Sequence, residues 1–102
     1  MNPMNEKKGL RCLIAEDMRN VAEQLRTYLL QEGKEAIDCV EITESGKKAF
    51  LMHSQTPYDF VILDITLVDS DGYEDFLYPL IDSELPMPFI VIFTGTPYAD
   101  DT

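Results

Sequence analysis

Phe60-Val61-Ile62-Leu63-Asp64 sets four apolar residues in a row and ends them at a carboxylate. A half-exposed strand alternates apolar with polar, so a run that is apolar on both faces predicts a strand buried between two layers. Outward from it, Phe89-Ile90-Val91-Ile92-Phe93 repeats the pattern, and Leu10-Arg11-Cys12-Leu13-Ile14-Ala15 and residues 36–40 give two further strands. The stretches between them change period. Val21, Leu25 and Leu29 recur at helical spacing, with Ala22 and Tyr28 widening the stripe and Gly33 as the stop. Residues 46–54 read as a second helix, capped by Thr43 or Ser45 and burying Ala49 and Phe50. A third opens at Gly72 with Tyr73, Phe76, Leu77, Leu80 and Ile81 on its apolar side, and Pro79 should kink or shorten it. Strands alternating with helices mean an α/β fold with a parallel sheet.

The chain has 102 residues, enough for one core and too few for two. Its 45% apolar and 26% charged shares are those of a globular domain. No apolar run is long enough to span a bilayer, and residues 1–9 read as a flexible polar tail rather than a signal peptide. Cys12 and Cys39 both sit in apolar runs, which predicts two buried free thiols in a cytoplasmic protein. The net charge is −11, and Lys48 is the last Lys or Arg in the sequence. A surface so acidic repels phosphate backbones and anionic lipid, which argues against nucleic-acid or membrane partners.

In parallel sheets, ligands bind beyond the carboxyl ends of the strands. Glu16 and Asp17 follow the first strand, Asp64 the third, and Thr94-Gly95 the fourth. If those strands are neighbours, three carboxylates and a hydroxyl converge on one rim. So many acids need a cation among them, and an all-oxygen set suits Mg²⁺.

With these residues in place, the sequence resembles the response-regulator receiver domains of two-component signalling. Three stretches carry the resemblance: the acidic pair Glu16-Asp17, the segment 61–67 with Asp71-Gly72-Tyr73-Glu74 after it, and residues 90–95. The resemblance implies a flavodoxin-like, receiver-type sheet of strand order 2-1-3-4 with three helices over residues 10–102. It implies that Asp64 is the phosphoacceptor and that Glu16, Asp17, Asp64 and the Thr66 backbone carbonyl hold Mg²⁺. Thr94 would be the switch hydroxyl, and the Gly95 amide would help it bind the phosphoryl oxygens. The implied partner is a sensor histidine kinase or phosphotransfer protein.

Departures from the family pattern are Val68 in place of proline, Pro79 within the third helix, and an end at Thr102. The family's fifth strand, its lysine and its last two helices have no counterpart, as in a shortened receiver or a piece of a longer one. Two alternatives follow. A phosphorylation-independent pseudo-receiver would keep the fold as a protein-interaction and dimerisation module. A phosphoaspartate hydrolase of the haloacid-dehalogenase type would need an acid where Thr66 stands and a lysine, so a non-enzymatic role is expected. The uncharged strand 89–93, left at an open edge beside a bare sheet face, predicts a homodimer through either surface. His53 is expected to be exposed, Lys47-Lys48 to be a solvated face, and Phe50 and Met52 to be packing residues.

Overall fold

The computed structural model describes residues 9–67 and 71–93. Strand β1 (Leu10–Ala15) lies between β2 (Ile37–Thr43) and β3 (Phe60–Asp64), and β4 (Phe89–Phe93) pairs with β3. All three pairings are parallel and the order is 2-1-3-4, the flavodoxin-like arrangement expected. The described helices are α1 (Arg19–Glu32), α2 (Gly46–Gln55), and a π-helical segment (Gly72–Leu77) that runs into α3 (Tyr78–Asp82). The expected tail lies almost wholly outside the described residues.

Alternation along β1 divides the core in two. Leu13 and Ala15 join Val61 and Leu63 under Ala49 of α2, Phe76 and Leu80. Cys12 and Ile14 face the other way, with Val40, against Ala22 and the half-buried Leu25, Leu29 and Leu30 of α1. On that second face α1 covers β1 and β2. The same face of the outer pair carries Phe60 opposite Phe89 and Ile62 opposite Val91. Phe89 is 71% exposed and Val91 41%. Together with Leu10 they line an open apolar groove of about 450 Å³.

Ser45 is the cap of α2: its hydroxyl accepts the Lys48 N–H at 3.2 Å. Strand β2 runs to Thr43, beyond the residues 36–40 predicted, because β1 continues beside it as far as Ala15. Tyr28 does not widen the buried stripe of α1; it is exposed. Cys39 is half-buried rather than buried, while Cys12 is fully buried and both are free. Burial, with Cys39 nearby, pushes the Cys12 thiol up to about 12, so it stays protonated and unreactive.

Pro79 acts by widening the helix before it. An α-helical turn would need a Pro79 N–H; instead the Tyr78 N–H reaches back five residues to the Tyr73 carbonyl. Pro79 then falls in the first turn of α3, where its missing donor costs little. The wider turn shifts the phase of the apolar side chains. Gly72, Phe76 and Leu80 are buried, but Tyr73 and Ile81, expected inside, are exposed.

His53 is the main correction. It is fully buried, not exposed. Its Nε2 lies 2.8 Å from the Pro86 carbonyl oxygen, and its Nδ1 accepts the Tyr58 N–H at 3.0 Å. The ring stacks on Tyr58 and meets Phe76 edge-on. One imidazole thus ties α2 to the segments leading into β3 and β4. His53→Ala is expected to cost about 2 kcal/mol by orphaning a buried N–H and leaving a cavity. Urea denaturation measures this, and an unchanged midpoint would contradict the tie.

Candidate functional site

Because β1 and β3 are neighbours, their carboxyl ends bring Glu16 and Asp17 beside Asp64. One carboxylate oxygen from each of the three lies within 4.8 Å of the others. Glu16 and Asp64 are each 1% exposed, and Asp17 is half-buried at the rim. The sequence expectation that these three converge is met.

Each buried acid has a local holder. The Glu16 amide donates to the Thr43 carbonyl at 2.9 Å, which fixes its backbone against the end of β2. Its Oε2 accepts the Met18 N–H at 2.9 Å. Asp64 Oδ1 accepts two bonds from Thr66, from the amide and from the hydroxyl, both at 2.9 Å. The expectation for Thr66 was its carbonyl; the structure adds these two donors, which set the orientation of the Asp64 carboxylate. An Asp side chain commonly accepts the backbone amide two residues on, so the sequence held the signal for the first of these bonds.

Burial pushes the Glu16 carboxyl up to about 7; the Met18 N–H pulls against this, and the charge of Asp64 adds to it. Glu16 Oε1 is buried and no hydrogen-bond donor reaches it. A buried carboxylate oxygen without a donor, facing two other acids, is a position that a bound cation would satisfy. Oxygen donors without nitrogen or sulfur suit a hard ion such as Mg²⁺ rather than a transition metal.

On the far side of Asp64, β4 ends at Phe93 directly opposite it, and the Ile65 amide donates to the Phe93 carbonyl at 3.2 Å. Thr94 and Gly95, like Val68, lie outside the described residues. Gly72 is a positioning residue that sequence reading treated only as a helix start. A Cβ there would stand 2.9 Å from the Ile65 Cα and 3.0 Å from the Asp64 carbonyl oxygen. Both are backbone atoms and cannot swing aside. Gly72→Ala is therefore expected to destabilise the fold by about 1 to 2 kcal/mol and to displace the Asp64 segment. Thermal unfolding together with amide shifts of residues 64–66 tests this. Unmoved shifts would show that the helix yields instead.

The family model described as the response regulator receiver domain matches residues 12–102. No curated protein matches the chain. Among solved structures, the MaeR response regulator bound to beryllium trifluoride is 27% identical, with a TM-score of 0.74 over 87% of this chain and 70% of that one. A CheY-like receiver domain from Methylobacillus flagellatus shares the fold at 24% identity and a TM-score of 0.73, over 86% of this chain and 71% of that one. The signal receiver domain of a modulated diguanylate cyclase from Desulfovibrio desulfuricans G20 is 28% identical, with a TM-score of 0.66 over 84% of this chain and 65% of that one.

Proposed function

The chain belongs to the response regulator receiver domain family, and from that premise we propose that Asp64 accepts a phosphoryl group from a sensor histidine kinase or a phosphotransfer protein. The observation that carries the proposal is the buried convergence of Glu16, Asp17 and Asp64. In the transfer an Asp64 oxygen forms a bond to phosphorus as the P–N bond of the donor phosphohistidine breaks, and the imidazole leaves with the bonding pair. Glu16, Asp17, Asp64 and the Thr66 carbonyl would hold Mg²⁺, which when bound offsets the negative charge of the carboxylates and of the incoming phosphoryl group.

The protein's own residues supply position. Thr66 fixes the plane of the Asp64 carboxylate, so that its approach to phosphorus is set before the donor arrives. Met18 holds Glu16. Thr94 and the Gly95 amide take the phosphoryl oxygens, as the family resemblance assigns them. The chain is an acceptor and not an enzyme with turnover, and it works where kinases present their phosphohistidine, in the cytoplasm.

The test is incubation with acetyl phosphate and Mg²⁺, then with a phosphorylated kinase, followed by peptide mapping. One acyl phosphate per chain at Asp64 is expected, and beryllium trifluoride, the group bound to the similar MaeR protein, should perturb the same residues. Mg²⁺ binding without any uptake of phosphoryl would identify a phosphorylation-independent interaction module instead.

The groove of Leu10, Phe60, Phe89 and Val91 is assigned to a second copy of the chain. Its walls are apolar on a sheet edge, and a two-fold contact pairs such a surface with itself. Val91→Lys is expected to shift sedimentation from dimer to monomer without unfolding, since Val91 is 41% exposed. A wild-type monomer at micromolar concentration would remove the assignment.

A further inference from the structure

The outer surface of the third helical segment carries a group of side chains that neither the core nor the carboxylate site uses. Tyr73 and Tyr78 stack on one another with ring centroids 6.0 Å apart and planes 18° from parallel. Tyr73 is 37% exposed, Tyr78 53%, and Ile81, one turn beyond Tyr78, 58%. Tyr73 and Ile81 owe their exposure to the π-helical turn, which takes them out of the buried stripe and leaves the Tyr73 ring beside that of Tyr78. Around them stand Glu74 and Asp82, both exposed. Residues 71–84 contain five acids (Asp71, Glu74, Asp75, Asp82, Glu84) and no Lys or Arg. Asp71 and Asp75 are engaged locally, Asp71 accepting from the amides of Tyr73 and Glu74, and Asp75 accepting from the amide of Asp71. Glu74, Asp82 and Glu84 make no such local bond among those described.

Paired tyrosine faces offer negative π density, and the carboxylates beside them add charge of the same sign. A guanidinium answers both: its plane stacks on a ring while its N–H groups reach a carboxylate. A lysine ammonium answers the charge but not the ring geometry. Exposed aromatic side chains with an aliphatic neighbour also match the composition of binding-site centres more than that of ordinary surface.

We infer that the Tyr73–Tyr78–Ile81 surface is a docking site for an arginine-bearing segment of a partner protein, its guanidinium groups laid on the tyrosine rings and paired with Glu74 and Asp82. The site does not depend on phosphorylation of Asp64. It is nevertheless joined to that residue, because Gly72, at the start of the same segment, packs against the Asp64 backbone.

The probe is a hexa-arginine peptide, with hexalysine of equal charge as control, titrated into the whole chain and followed by NMR. Saturable shifts at Tyr73, Tyr78 and Ile81 are expected, with hexalysine at least about fivefold weaker. Tyr73→Ala with Tyr78→Ala should abolish the preference for arginine, the Tyr→Phe pair should retain it, and Tyr28→Ala on α1 should leave it unchanged. Because all three tyrosines are exposed, these variants keep the fold, which circular dichroism verifies. Equal binding of the two peptides, or shifts spread over Glu16, Asp17 and the other acids, would overturn the inference. So would self-association that the paired alanine variant removes, since the surface would then belong to a second copy.

Discussion

Asp64→Asn is expected to abolish phosphoryl uptake and, in the absence of metal, to leave the fold at least as stable as before. The two effects have opposite signs for one reason. Asparagine keeps the shape of the side chain and an oxygen able to accept the two Thr66 bonds, so the local geometry at 2.9 Å survives. What it loses is the charge. An amide oxygen is a far poorer nucleophile toward phosphorus than a carboxylate, and a rate loss of 10³-fold or more corresponds to only about 4 kcal/mol of barrier. The same lost charge relieves repulsion among three acids whose oxygens lie within 4.8 Å of one another. Phosphoryl incorporation by intact mass and thermal unfolding in chelator are the paired measurements. Uptake at the wild-type rate would place the acceptor elsewhere, and a clear fall in metal-free stability would mean that the Asp64 charge is supported rather than opposed by its surroundings.

What the sequence revealed depended on whether a feature was local. Strands β1 and β4 have the bounds read from their apolar runs, because the runs are of strand length and are closed off by polar or turn-forming residues. The acids at the strand ends were legible for the same reason, once parallel order brought β1 beside β3. Strand β2 extends past its apolar run through the exposed Glu41, as an edge strand does, and nothing in residues 41–43 announces it. His53 could not be placed: its partner is the carbonyl of Pro86, 33 residues away, and a lone histidine in a helix carries no sign of that. Tyr73 and Ile81 were misplaced because helical period was applied across a π-helical turn. Pro79 warned of an irregularity there, but not that Tyr73 would be turned outward and stacked on Tyr78.

The Glu16 carboxyl makes stability fall with rising pH in metal-free protein, and Mg²⁺ should offset most of that fall. With its folded pKa near 7 against an ordinary 4.5, the native state holds a proton that the unfolded chain has released. Protonated Glu16 therefore favours the fold fully below about pH 4.5, and that contribution is lost as pH rises through 7. A shift of this size corresponds to roughly 3 kcal/mol, since each pKa unit is worth about 1.4. Mg²⁺ needs the ionised form, so its stabilisation grows over the same interval and reaches about 2.7 kcal/mol at a concentration 100-fold above its dissociation constant. Glu16→Gln removes the titrating group, so the metal-free profile between pH 5 and 8 should flatten and the Mg²⁺ response should shrink. Every other titratable group is common to wild type and variant, so the difference between the two profiles reports on Glu16. Chemical denaturation at several pH values, with Mg²⁺ and with chelator, measures all four curves. Parallel profiles for wild type and Glu16→Gln, or an Mg²⁺ response that does not change with pH, would show that burial at this rim does not set the charge of Glu16.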